Sequence, residues 1–156
     1  MDVIVDSREK AKAITKILAE FDKQGVKYAS SKLFVGDYMS LDNPRLIIDR
    51  KQNLSELTNN VCQGHKRFRA ELERANEYGI QLIILCEHGG QIKTLQDVQN
   101  WVNPRLKESP MAMSGDRLYK VLLAMSKKYG VRFEFCSKSQ TGKRIIELLG
   151  ADRDGV

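Results

Sequence analysis

Apolar and polar residues alternate through Asp2-Val3-Ile4-Val5-Asp6, a period of two that predicts a buried strand with polar ends. Over residues 9–23 the period becomes helical, with Ala13, Ile14, Ile17, Leu18 and Phe21 on one face and Gly25 as the stop. Residues 26–35 read as a strand that Gly36 breaks, and residues 37–41 as a short one. Asp42-Asn43-Pro44 is a turn signal, after which Leu46-Ile47-Ile48 starts a strand running to Lys51. Helices are expected over residues 54–60 and 65–78. Residues 80–87 form the most apolar strand, expected at the centre of a sheet. Residues 95–102 read as helical, and residues 103–114, with two prolines and little periodicity, as a mobile loop. A helix over 116–129 turns Leu118, Val121, Leu122 and Met125 inward; a strand over 131–136 and a helix over 141–149 follow. This order predicts an α/β fold, a three-layer sandwich with a central mixed sheet flanked by helices. Residues 1–150 make one domain and 151–156 a flexible tail.

Composition narrows the function. The chain has 156 residues, 42% hydrophobic and 29% charged, as expected of an ordinary globular domain. The longest apolar run, Ile83 to Cys86, is too short to span a bilayer. The first residues lack the pattern of a secretory signal, so the expectation is cytoplasm or nucleoid and no membrane partner. Cys62, Cys86 and Cys136 are odd in number and far apart, which predicts free thiols rather than disulfides or a zinc knuckle. His65, His88 and Trp101 read as ordinary helix-start, turn and anchor residues. Neither common Gly-rich phosphate loop occurs, which leaves ATP and NAD without support. The net charge of +6 favours polyanions, and Lys66, Arg67, Arg69 and Arg74 fall in one segment. Lys66, Arg67 and Arg69 are candidate DNA contacts; Arg74 and Glu73 read as a solvated helix face, laced also with Glu71.

Candidate chemistry sits where two strands end. In a strand over 46–51, Asp49 and Lys51 share a face and Arg50 takes the other. A hairpin turning at 42–45 brings Asp37 within about one residue of Asp49. Two carboxylates so placed repel each other unless a cation sits between them. Mg²⁺ prefers such oxygen ligands and also takes phosphate, and a neighbouring lysine stabilises the charge that phosphodiester hydrolysis develops. As a bare pattern these are also the charged residues of strand ends. The buried character of Ile47-Ile48 and a family resemblance favour the chemical reading.

In order, the sequence carries Val5-Asp6-Ser7-Arg8-Glu9, Gly36-Asp37-Tyr38, Asp49-Arg50-Lys51 and Glu56-Leu57, then Arg67-Phe68 and Glu71-Leu72 ahead of the apolar strand. This series resembles the XPF-type nucleases of the PD-(D/E)xK superfamily, most clearly over residues 2–90. The resemblance implies a restriction-endonuclease-like sandwich and a Mg²⁺- or Mn²⁺-dependent DNA endonuclease, structure-selective on branched or flapped DNA. It implies that Asp37, Asp49 and the carbonyl of Arg50 bind the metal and that Lys51 is the catalytic lysine. It implies too that Asp6, Arg8 and Glu9 line the same cleft. Asp49 stands where the family usually carries Glu, and the acidic residue after the lysine falls at Glu56. With no helix-hairpin-helix module in view, the chain resembles stand-alone nuclease domains of bacteria and their phages, which leaves room for a homodimer or protein partner. A catalytically silent DNA- or protein-binding relative and a junction-resolvase-like enzyme are the alternatives.

Overall fold

Val3 and Val5 turn to one side of β1 (Asp2–Asp6) and Ile4 to the other, and each side meets an apolar layer. A computed structural model describes the backbone of residues 1–154 and the side chains of residues 1–150. After β1 come a 3-10 turn (Ala11–Ile14), α1 (Thr15–Lys23), β2 (Lys27–Ser31), β3 (Tyr38–Ser40) and β4 (Asn43–Lys51). Then follow α2 (Leu54–Cys62), α3 (His65–Glu77), β5 (Gln81–Glu87), 3-10 turns at Gln96–Asn100 and Pro104–Lys107, and α4 (Gly115–Tyr129). β6 (Arg132–Cys136), a 3-10 turn at Lys138–Gln140 and α5 (Thr141–Asp154) complete the chain. Residues 155 and 156, the end of the expected tail, lie outside the described residues.

The strands form one mixed sheet in the order β2-β1-β3-β4-β5-β6. β3 runs antiparallel to both β1 and β4, and the other pairs are parallel. Alternation along β4 and β5 separates two cores. Ile47, Leu82 and Ile84 pack with Leu57, Phe68, Leu72, Leu118 and Leu122 beneath α2, α3 and α4. Ile48, Ile83 and Leu85 pack with Ile17, Phe21 and Ile145 beneath α1 and α5. The sandwich and its central mixed sheet are thus as the element order predicts. Burial continues past the apolar residues of β4: Asp49, Arg50 and Lys51 are 6%, 8% and 9% exposed. Charged side chains at such depth need partners.

Several elements differ from expectation, each for a visible reason. β2 stops at Ser31 because Asp6 Oδ1 takes the Leu33 N–H at 2.8 Å and bends the chain away from β1. The first helix starts only at Thr15, since Glu9 is drawn under the sheet to Arg50. Asn43 and Pro44 belong to β4, and the ladder to β3 is irregular at Met39/Ser40. Residues 96–100 form a 3-10 turn rather than a helix. The segment expected to be a mobile loop is pinned at Asn103, which is 2% exposed. Its Oδ1 accepts from Arg105 N at 3.0 Å and its Nδ2 donates to Met113 O at 2.9 Å. All three cysteines are free, and among the described residues no helix is long and apolar enough to cross a membrane.

Candidate functional site

The register of three strands lines up three carboxylates. β1 pairs Val5 with Tyr38, and β3 pairs Tyr38 with Ile48. One step further along each antiparallel pair, Asp6, Asp37 and Asp49 lie abreast on the face covered by α3, because opposed residues share a face. Main-chain bonds fix this row: Asp37 N donates to Ile48 O and Asp6 N to Asp37 O, both at 2.7 Å. Asp37 Oδ2 accepts the Arg50 N–H at 2.7 Å, which ties its carboxylate to the backbone between Asp49 and Lys51.

Gly36 permits the approach. Its φ is +72°, and an added Cβ would lie 2.6 Å from Ile47 Cγ2 and 3.0 Å from Ile48 O. Gly36→Ala therefore combines a left-handed backbone cost of about 1–2 kcal/mol with a clash against β4. Thermal unfolding should show Tm lowered by about 2–8 °C; an unchanged Tm would mean that this contact is not needed.

The carboxylate cluster is charge-starved. Burial first, and Asp49 next to it, push the Asp37 carboxyl up to about 10. The same two causes push Glu71 up to about 8. Lys51 Nζ lies 3.3 Å from Asp49 Oδ2, an ion pair without hydrogen-bond geometry, so that buried oxygen accepts no hydrogen bond. Glu71 Oε1 is likewise buried and unpartnered. Burial works against the Lys51 ammonium, yet Asp49, Glu71 and Glu56 hold its pKa above the ordinary lysine value. Its ammonium lies over the Phe68 ring, 5.5 Å from the centroid.

A divalent cation fits this donor set. It would satisfy the orphaned Asp49 oxygen and remove the repulsion that favours a proton on Asp37. Among the described residues no group of three or more His, Cys, Asp or Glu side chains is arranged to hold a metal ion. The donors on this face are the Asp37 and Asp49 carboxylates, a partial shell that Mg²⁺ completes with water and phosphate.

The opposite face of β4 carries a separate network. Arg50 Nε and Nη2 donate to Glu9 Oε2 and Oε1 at 2.9 and 3.3 Å, and Nη1 donates to Glu87 Oε1 at 2.5 Å. Tyr38 Oη donates to Glu9 Oε2 at 2.7 Å and Thr141 Oγ1 to Glu87 Oε2 at 2.6 Å. Burial disfavours the guanidinium charge, but Glu9 and Glu87 more than offset this and raise the Arg50 pKa. This network sits behind the carboxylates, so Glu9 meets the arginine of β4 rather than Asp37 or Asp49.

Asp6 is also occupied elsewhere. Arg8 Nε and Nη2 donate to it at 2.8 and 3.1 Å, and Arg8 Nη2 reaches Leu33 O at 3.1 Å. Burial opposes the Asp6 charge, but Arg8 and the Leu33 N–H hold its pKa below the usual carboxylate value. Glu56 caps α2: its Oε2 accepts from Gln52 N, and Asn53 Oδ1 accepts from Glu56 N, both at 2.8 Å.

Lys51 and Glu71 open into a 570 Å³ cleft walled by Asn60, His65, Lys66, Arg67 and Phe68. Two of the three candidate DNA contacts, Lys66 and Arg67, thus line the cleft, while Arg69 lies exposed outside its wall. Glu71 is the residue that sequence reasoning passed over as part of a solvated face. The available signal was its place on α3 beside the buried stripe Phe68, Leu72 and Ala75. Tyr38 is fully buried, and Trp101 stacks edge-on against His88 at 6.2 Å.

Residues 5–149 match the ERCC4 domain family. XPF from Aeropyrum pernix has the same fold, with a TM-score of 0.70 and 23% identity. That match covers 98% of this chain and 65% of the other. XPF from Aeropyrum pernix in complex with DNA gives a TM-score of 0.69 and 22% identity, covering 99% of this chain and 66% of that one. This chain therefore spans just under two thirds of the chains it matches. No curated protein matches it. With a family match running from β1 into α5, the chain belongs to the ERCC4 domain family and carries the fold of the XPF nucleases.

Proposed function

We propose that this domain is a divalent-metal-dependent DNA endonuclease with a preference for branched or flapped DNA. The observation that carries this reading is the juxtaposition of Asp37 and Asp49 across β3 and β4, with Lys51 on the same face at the mouth of a basic cleft. Asp37, Asp49 and the Arg50 carbonyl would hold Mg²⁺ or Mn²⁺. The chemistry such a cation supplies when bound is a lowered pKa for water and neutralisation of charge at the scissile phosphate.

The chain's own residues do the rest. Lys66 and Arg67 hold backbone phosphates at the cleft wall. Lys51, kept charged and nearly immobile by Asp49 and Phe68, donates to the phosphoryl oxygens as charge builds on them. Arg50, clamped by Glu9 and Glu87, fixes the backbone that carries both acid and lysine. Membership of the ERCC4 family supports the preference for branched DNA, and a structural relative in complex with DNA supports the choice of polymer.

The test is cleavage of labelled linear, flapped, forked and four-way DNAs with Mg²⁺, Mn²⁺ or EDTA. Cutting should require metal, and Lys51→Ala should lower the rate by about 10²–10³-fold, as for removal of one charge-stabilising donor. Binding should change by less than tenfold, because Lys66 and Arg67 remain. Failure of the folded wild type to cut any substrate, even with Mn²⁺, would replace this reading with that of a silent DNA-binding relative. Preference for four-way junctions would make it resolvase-like.

A further inference from the structure

The connector between β2 and β3 carries an exposed aromatic residue that the chemistry described above does not use. Leu33 and Val35 point into the core, while Phe34 between them is 54% exposed. Phe34 meets Tyr78 at the end of α3, which is 61% exposed, with ring centroids 4.8 Å apart and planes at 72°. The Arg74 guanidinium lies over the Phe34 ring, 5.5 Å from its centroid, and Nη1 donates to Phe34 O at 3.4 Å. Two rings and a cation thus form one surface patch.

Its position matters more than its composition. Phe34 is joined to the row of carboxylates by Val35, Gly36 and Asp37, at most about 11 Å of extended chain. That is the length of about three stacked nucleotides. Arg74 is close enough to help stabilise the Glu71 carboxylate beside Asp49. Arg8, which follows β1 and has a side chain 60% exposed, reaches the same connector through its bond to Leu33 O. The patch is therefore apolar at its centre and cationic around it.

We propose that Phe34 and Tyr78, flanked by Arg74 and Arg8, form a stacking platform for an unpaired base of single-stranded DNA leading into the carboxylate site. A base offers a π-face to Phe34 or Tyr78 and a phosphate to Arg74 or Arg8, the pairing by which single strands are held without sequence preference. A duplex keeps its bases stacked inside and offers only phosphates. The platform thus selects DNA with a single-stranded arm at the site. This inference deepens the nuclease reading and rests on it for the identity of the polymer.

The decisive experiment measures binding rather than cutting. Fluorescence anisotropy in EDTA would compare a blunt duplex, the same duplex with a single-stranded arm, and that duplex with an abasic arm of equal charge. The wild type should bind the base-bearing arm about 5- to 150-fold more tightly than the abasic arm, the worth of one base–aromatic stack. Phe34→Leu, which keeps an apolar side chain against α3, should lose most of this difference, yet bind blunt duplex within about twofold of wild type. Tyr78→Leu, at the exposed end of α3, should lose part of it. Equal wild-type affinity for base-bearing and abasic arms overturns the platform. So does an equal loss on all three DNAs in Phe34→Leu, which would make the residue purely structural. Parallel cleavage assays separate this from the wider reading: metal-dependent cutting with no base effect sinks the platform alone, and a base effect without any cutting sinks the nuclease alone.

Discussion

Asp37→Asn is expected to abolish metal-dependent cleavage and, at the same time, to make the metal-free protein more stable at neutral pH. Loss of one of two carboxylates around a divalent cation removes several kcal/mol of charge stabilisation, at least about a thousandfold in rate. The stability gain has a separate origin. In the folded chain, burial and the adjacent Asp49 raise Asp37 to about 10 and burial and the same neighbour raise Glu71 to about 8. In the unfolded chain both titrate near the ordinary carboxylate values of about 4. The native state therefore holds more protons between those limits, and stability falls as pH rises from about 4 towards 8–10. Thermal melts in EDTA should show the wild type losing Tm from pH 5 to pH 8. Asp37→Asn should flatten the slope, since the amide oxygen still accepts the Arg50 N–H without carrying charge. Added Mg²⁺ or Mn²⁺ should raise Tm of the wild type and leave the variant unmoved. A wild-type Tm independent of pH and metal would show that the two carboxylates do not share a cation.

Arg50→Ala should be the most damaging single change to the fold. Arg50 is the common partner of Glu9 and Glu87, whose side chains are 10% and 3% exposed. Removing it leaves two carboxylates facing one another with no cation and deletes three hydrogen bonds. Breaking a buried pair in this way costs about 3–5 kcal/mol, or roughly 6–20 °C in Tm for a domain of this size. Arg50→Met combined with Glu87→Met should recover part of the stability, because it removes one of the two carboxylates left unpaired, while Glu9 keeps the Tyr38 hydroxyl as its partner. Cleavage should not recover with it, since the clamp also fixes the backbone between Asp49 and Lys51. Recovery of full activity in the double variant would show that the network is structural only.

These two expectations meet in β4, where one face carries an under-compensated acid cluster and the other a saturated ion network. The saturated side holds the strand rigid while the other side keeps oxygens free for a cation. Proteins commonly accept such local instability where chemistry occurs and offset it by rigid support nearby.

The sequence alone determined most of the frame. Period-two and helical patterns place β1, β4, β5, β6 and the longer helices, because each must bury one stripe or face. The same alternation puts Asp49 and Lys51 together and Arg50 opposite. The Gly36-Asp37 break and a turn near residue 42 bring Asp37 level with Asp49, so the central acid pair was legible from local rules and order of motifs.

Only the tertiary structure decided what surrounds that pair. Glu71 enters it from α3, and a helical pattern cannot show that a charged residue beside the apolar stripe is buried against a strand. Asp6 turns to Arg8 and Leu33, and Glu9 crosses to Arg50, since which face of the sheet a residue after a strand reaches depends on the path of the chain. Glu87 meets Arg50 because β5 pairs in parallel with β4, a register fixed by packing across the whole sheet. Local sequence fixes which way a side chain points from its own strand; the partners it finds there come from elements distant in sequence, and only the packed fold selects them.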